Sequence, residues 1–174
     1  MQDLPPAIFS RRLAPLAAAV AAAAAALLGA ALWIQSQGQP PCPLCILQRV
    51  AYLGILGSAL VAVPLAATGA VGAARAALGL GVLSALAGLG VAARHLWVLW
   101  HPAFSCGLDP LADAINRWTL TRWMPWMFQA DGLCADAPRL FGLALPYWSA
   151  LGYLGLGAAL LAGVWRRDRG NRNR

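Results

Sequence analysis

The chain has 174 residues, of which 60% are hydrophobic and only 11% charged, and its mean hydropathy is +0.64, values that exclude an ordinary soluble globular domain. A net charge of +7 would suggest nucleic acid in a soluble protein, but in an apolar chain it is explained by membrane topology, and no nucleic-acid partner is expected. The expected fold class is an all-α membrane protein: a bundle of four transmembrane helices with one long outer loop that carries a short interfacial helix, forming a single membrane domain over residues 1–174.

In chain order, residues 1–12 form a short lead, and the first span covers about 13–34. Arg11 and Arg12 ahead of an alanine-rich run resemble a secretory signal. The run exceeds the usual apolar core of such signals, roughly 7–15 residues, so a retained span is expected. Trp33 suits the membrane interface at the end of this span. A short polar loop, 35–45, follows. Its Pro40, Pro41 and Pro43 cannot continue the first helix but fit before or within the first turn of the next.

The second span is expected over 50–67 and the third over 76–93, extending toward Trp100, with a tight glycine-containing turn between them. Gly54, Gly57, Ser58, Gly81, Ser84 and Gly88 allow close helix approach in lipid. The stretch 101–142 is the long outer loop. Its Phe104, Trp118, Trp123, Trp126 and Phe128 argue against disorder, and Ala112 to Trp126 reads as an amphipathic helix lying in the interface. The last span covers 143–165, and the basic tail 166–174 reads as an anchor to lipid head groups.

All thirteen basic residues are arginine, and their distribution sets the orientation through the excess of positive charge in cytoplasmic loops. With both termini in the cytoplasm, eight arginines lie inside. Arg49, Arg94, Arg117, Arg122 and Arg139 lie outside with four of the six aspartates. All four cysteines then share the outer side.

Cys42 and Cys45 have the Cys-x-x-Cys spacing, which closes a disulfide with little backbone movement. Cys45 falls where the next helix begins, so unpaired N–H groups and the helix dipole favour a thiolate there. Arg49, one turn later on the same face, adds a full positive charge. Its guanidinium suits the carbonyl oxygen of a quinone as negative charge develops on it. A static disulfide is the bland alternative. Haem attachment is excluded in its usual form because Ile46, not histidine, follows Cys45. A zinc site built from all four cysteines is disfavoured on an oxidising side, and no metal is expected.

Cys106 and Cys134 are the other two cysteines. Four cysteines allow three pairings, and sequence does not choose among them. Two dithiol centres, Cys42 with Cys45 and Cys106 with Cys134, make a natural resting state, with a loop staple as the alternative for the second. His95 is the better of the two histidines for proton delivery to a reduced acceptor, while His101 reads as an interface residue.

These residues resemble the bacterial disulfide bond formation protein B (DsbB) family. The similarity is carried by Cys42-Pro43-Leu44-Cys45-Ile46-Leu47-Gln48-Arg49-Val50, His95, Pro102 to Cys106, Trp123-Met124-Pro125, Asp131-Gly132-Leu133-Cys134 and Phe141 to Trp148. It implies a multi-pass protein of the bacterial inner membrane with its cysteines in the periplasm. It implies that Cys106 forms a transient mixed disulfide with a periplasmic DsbA-like thiol oxidase, and that Cys134 resolves it. Electrons would pass to Cys42 and Cys45 and on to ubiquinone or menaquinone bound at Cys45 and Arg49, with His95 nearby. Membrane lipid is the other expected partner. The rival readings are a dedicated paralogue serving a different periplasmic thiol protein, and a non-enzymatic metal-binding or structural membrane protein.

Overall fold

The computed structural model describes residues 6–101 and 110–165, with side chains from Leu13 onward. Its long helices are α1 (Pro6–Ser36), α2 (Pro43–Ala67) and α3 (Val71–Trp100). Three short helices follow, α4 (Pro110–Asn116), α5 (Thr119–Trp123) and α6 (Pro125–Phe128). A two-stranded ribbon, β1 (Arg139–Leu140) with β2 (Leu143–Ala144), leads into α7 (Leu145–Trp165). Four of these helices are long and apolar enough to cross a bilayer. Only 22 to 33% of the residues in each apolar window are buried inside the protein, so the bundle's outer surface is hydrocarbon and its natural solvent is lipid. The molecule is an all-α four-helix membrane bundle.

The helices close into a ring in which α1 packs on α2, α2 on α3 and α3 on α7, while α7 meets α1 along a thinner seam. Small side chains set the close approaches. Ala51, Ala59, Ala62 and Ala66 of α2 and Ala74, Ala85 and Ala92 of α3 are all buried. A methyl group added at Gly88 would strike the ring of Tyr153, and one at Gly81 would strike Ser58. Without a hydrophobic drive between helices in lipid, this contact supplies the association energy. Tyr153 stacks on Tyr52, ring centroids 4.3 Å apart, and its hydroxyl donates to the Gln48 carbonyl at 2.6 Å, tying α7 to α2.

Several boundaries differ from the sequence expectation. The first helix begins at Pro6, inside the expected lead, with proline compatible with a first helical turn. The second begins at Pro43, beside the start expected at Cys45 and ahead of the span expected from 50, because Pro43 occupies its first position and the Cys42 sulfur accepts the Cys45 N–H. The loop 35–45 therefore contracts, and Cys45 is helical. The third helix runs the whole way from Val71 to Trp100, after a turn in which Gly69 takes φ 82°.

The expected helix from Ala112 to Trp126 is broken into α4, α5 and α6. Trp118 is extended, with φ −60° and ψ 144°. Met124, with φ −133° and ψ 65°, is pushed out of the helical region by the ring of Pro125. Trp123 and Trp126 are exposed on these pieces, as an interfacial location requires. The ribbon β1–β2 was not expected. Its turn places Phe141 (φ 52°) and Gly142 (φ 81°) in left-handed backbone, the geometry that matches the twist of a two-residue hairpin.

Candidate active site

The start of α2 carries the dithiol. Cys42 caps the helix in extended conformation, and its sulfur lies 3.3 Å from the Cys45 amide nitrogen and 3.0 Å from the Cys45 sulfur. Cys42 is buried and Cys45 half-buried. Negative charge at Cys45 is favoured by its first-turn position and by the Cys42 thiol, which donates to it. Cys42 is held in the opposite state. Hydrogen bonding with Cys134, then with Cys45, and then burial push its thiol far above the ordinary value of 9.0.

Cys134 reaches Cys42 because the loop before it docks on the proline lip. The amides of Asp131 and Gly132 both donate to the Pro41 carbonyl, at 3.1 and 3.0 Å. Gly132 is required there, since a Cβ would collide with the Pro40 carbonyl oxygen and crowd the Cys42 nitrogen at 3.1 Å. Upstream, the Asn116 side chain brackets Ala130, accepting from its N–H at 2.8 Å and donating to its carbonyl at 3.1 Å. The result is a small buried cluster of Cys42, Leu44, Val98 and Cys134. Cys106 lies outside the described residues.

His95 is fully buried. Its Nε2 lies 3.0 Å from the Cys134 carbonyl and 3.7 Å from the Cys42 sulfur, and its Nδ1 lies 3.2 Å from Nε2 of Gln48. Gln48 donating to Nδ1 fixes the proton on Nε2, which then donates to the Cys134 carbonyl. His95 is thus placed against Cys42 and Cys134, away from the cavity described next.

A cavity of about 360 Å³ opens at the thin seam among α1, α2 and α7. Leu27, Ala30, Ile34, Leu145, Trp148 and Leu151 give it an apolar wall, and Cys42, Cys45, Gln35, Gln48, Arg49 and Tyr52 are among its polar points, with Gln39, Asp136 and Ser149 also lining it. Arg49 is 5% exposed, so it does not reach for head groups. Its Nη1 donates to Gln35 Oε1 at 2.7 Å and to the Met127 carbonyl at 2.9 Å, and its Nη2 donates to the Ala31 carbonyl at 3.5 Å. Gln35 in turn donates to the Trp126 carbonyl at 2.9 Å. One guanidinium therefore ties α1, α2 and the α6 segment together at the cavity wall.

The structure brings together Cys42, Cys45, Arg49, His95 and Cys134. Gln35 and Gln48 complete the site and were not singled out from sequence. A polar residue within an apolar span, as at Gln48, is the signal that marks it; Gln35, at a span's polar end, carries none.

The dithiol, the third cysteine and the apolar cavity fit what comparison with known proteins finds. The family model for the disulfide bond formation protein DsbB matches residues 11–163. A disulfide bond formation protein B of Ralstonia nicotianae is 39% identical, covering 86% of this chain and 92% of the relative. Proteins of the same description are 40% identical in Burkholderia pseudomallei, over 83% of both chains, and 39% identical in Herminiimonas arsenicoxydans, over 88% of this chain and 96% of the relative. The chain belongs to the DsbB family of disulfide bond formation proteins, and is a multi-pass membrane member of it.

Proposed function

We propose that this protein reoxidises a periplasmic DsbA-like dithiol protein and delivers the electrons to membrane quinone, ubiquinone or menaquinone. Both termini lie in the cytoplasm of a bacterial inner-membrane protein, and the cysteines face the periplasm. One observation carries the reading. Cys42 and Cys45 sit in the wall of an apolar cavity at a lipid-facing seam, while Cys134 packs on Cys42 from outside that cavity.

The cavity fits a quinone head group in size and lining, since small-molecule sites span roughly 300–1,000 Å³ and are mostly apolar with a few polar points. Arg49 and Cys45 would hold the ring, and Gln35 would hold Arg49. Bound there, a quinone would supply the capacity to take up two electrons and two protons.

The chain's own residues do the rest by thiol–disulfide exchange. A partner thiolate attacks Cys106 of the Cys106–Cys134 disulfide and releases Cys134 as a thiolate. Cys134 attacks Cys42 of the Cys42–Cys45 disulfide, and Cys45 leaves as a thiolate. The partner's second thiol then attacks the sulfur bonded to Cys106 and departs oxidised, leaving Cys106 reduced. Cys106 attacks Cys134 of the Cys42–Cys134 link, restoring its own disulfide and releasing Cys42. Re-forming the Cys42–Cys45 bond gives up the electron pair. His95 holds the Cys134 carbonyl throughout the middle steps, so attacker and target stay in register.

The test mixes purified protein, a reduced DsbA-like protein and a soluble quinone, and follows quinone absorbance. Cys45→Ser is expected to abolish turnover, and Arg49→Ala to raise the quinone KM. Turnover surviving in Cys45→Ser would refute the proposal. Covalent trapping in Cys134→Ser identifies the partner and separates a general DsbA-like oxidase from a dedicated one.

A further inference from the structure

Cys42 Sγ, Cys45 Sγ and His95 Nε2 all lie within 4.8 Å of one another, with 3.0 Å between the sulfurs and 3.7 Å from Cys42 to the imidazole. Around a tetrahedral zinc ion, such atoms stand roughly 3.5–3.8 Å apart. Small side-chain shifts therefore suffice. Two thiolates and an imidazole are the donor set chosen by thiophilic cations such as Zn²⁺ and Cu⁺. Both cysteines also border the cavity, which leaves room for a fourth ligand.

Gln48 makes the histidine usable. Its amide now donates to Nδ1. Turned over, it presents Oε1 to an Nδ1–H and frees the Nε2 lone pair for a metal, the outer-shell support that ligating histidines usually have. Nε2 cannot hold the Cys134 carbonyl and a cation at once.

We propose that the reduced form of this protein captures one thiophilic cation through Cys42, Cys45 and His95, and that the oxidised form does not. The Cys45 thiolate binds as it stands, the Cys42 S–H proton is released, two sulfur–metal bonds form, and no electrons move. The disulfide removes two of the three donors, so the site exists only between reduction and reoxidation. A captured ion blocks re-formation of the Cys42–Cys45 bond and takes His95 from Cys134. Zinc or copper excess would therefore arrest disulfide formation at this step. The inference rests on Cys42 and Cys45 being a reducible pair.

The experiment uses the full-length Cys106→Ser/Cys134→Ser protein in detergent, reduced with a thiol-free reductant, its two remaining thiols counted before Co²⁺ is added. The expected result is a cobalt–thiolate charge-transfer band saturating at one equivalent and displaced by Zn²⁺. The band should be absent from the oxidised protein and from Cys45→Ser. Gln48→Leu should weaken binding about 10- to 100-fold, and His95→Ala at least as much, with helical melting checked in each variant. Two counted thiols and no band, or a band unchanged in a folded His95→Ala protein, would overturn the inference. Failure to count two thiols would instead sink the redox reading of the pair, and this inference with it.

Discussion

Arg49 and Gln35 are bonded head to head, Nη1 to Oε1 at 2.7 Å, and the far side of the same glutamine amide donates to the Trp126 carbonyl. Gln35 is thus the hinge pin between the cavity's cation and the outer loop. Gln35→Leu removes a hydrogen bond to a charged group, worth about 1.5–3 kcal/mol. The quinone KM is expected to rise by about tenfold with a much smaller change in kcat, and steady-state kinetics at varied quinone would show it. An unchanged KM would mean that Arg49 keeps its position without Gln35.

Gly132→Ala forces the loop off the Pro40–Cys42 lip, because the added methyl meets the backbone of Pro40 and Cys42. Overpacking of this kind costs about 1–3 kcal/mol. Exchange between Cys134 and Cys42 should slow by about tenfold or more, while oxidation of a small dithiol that reaches Cys42 and Cys45 directly stays near wild type. Rapid-quench trapping of the Cys42–Cys134 link measures the first rate, and equal slowing of both reactions would contradict the assignment.

Cys42 should resist thiolate-selective alkylation through neutral pH in the reduced protein, since its proton is held first by the contact with Cys134. Cys134→Ala removes that cause and should speed labelling of Cys42. The sign for stability follows from the upward shift. The reduced fold keeps this proton while the unfolded chain loses it above its ordinary value of 9.0, so the contribution is complete below that pH and declines as pH rises beyond it. Melting of the reduced protein from pH 7 to 10 should show the decline, and Cys42→Ala should remove it.

Tyr153 links α7 to both Gln48 and Tyr52, and Gly88 gives its ring room. Gly88→Ala is expected to destabilise the bundle by about 1–3 kcal/mol, and Tyr153→Phe by about 1 kcal/mol through the lost hydrogen bond. Thermal unfolding in detergent would rank them in that order. A neutral Gly88→Ala would mean that α3 and α7 separate without cost.

The four spans were legible because a run of about twenty apolar residues has few other uses. The start of α2 beside Cys45 was legible too, because the prolines before it fit a first turn, but the capping of that turn by the Cys42 sulfur was not. The mixture of apolar and polar residues from Ala112 to Trp126 read as one continuous helix, although a proline such as Pro125 disfavours helical backbone at the residue before it. For the site, the Cys-x-x-Cys spacing and the position of Arg49 pointed to chemistry, whereas the arginine's partners did not show. Met127 is 78 residues away, and no local pattern encodes such a contact. His95 stood out as the histidine better placed for proton delivery, but its burial and its orientation toward Cys134 depend on how the loop docks.

Cys42 meets His95 and Cys134 on one flank, and together with Cys45 borders the cavity on the other. Under the proposed function, traffic through the pair would be two-ended. A protein arriving from the aqueous side and a carrier arriving from the lipid side would not contend for the same door, so crowding by either would leave the other's access intact.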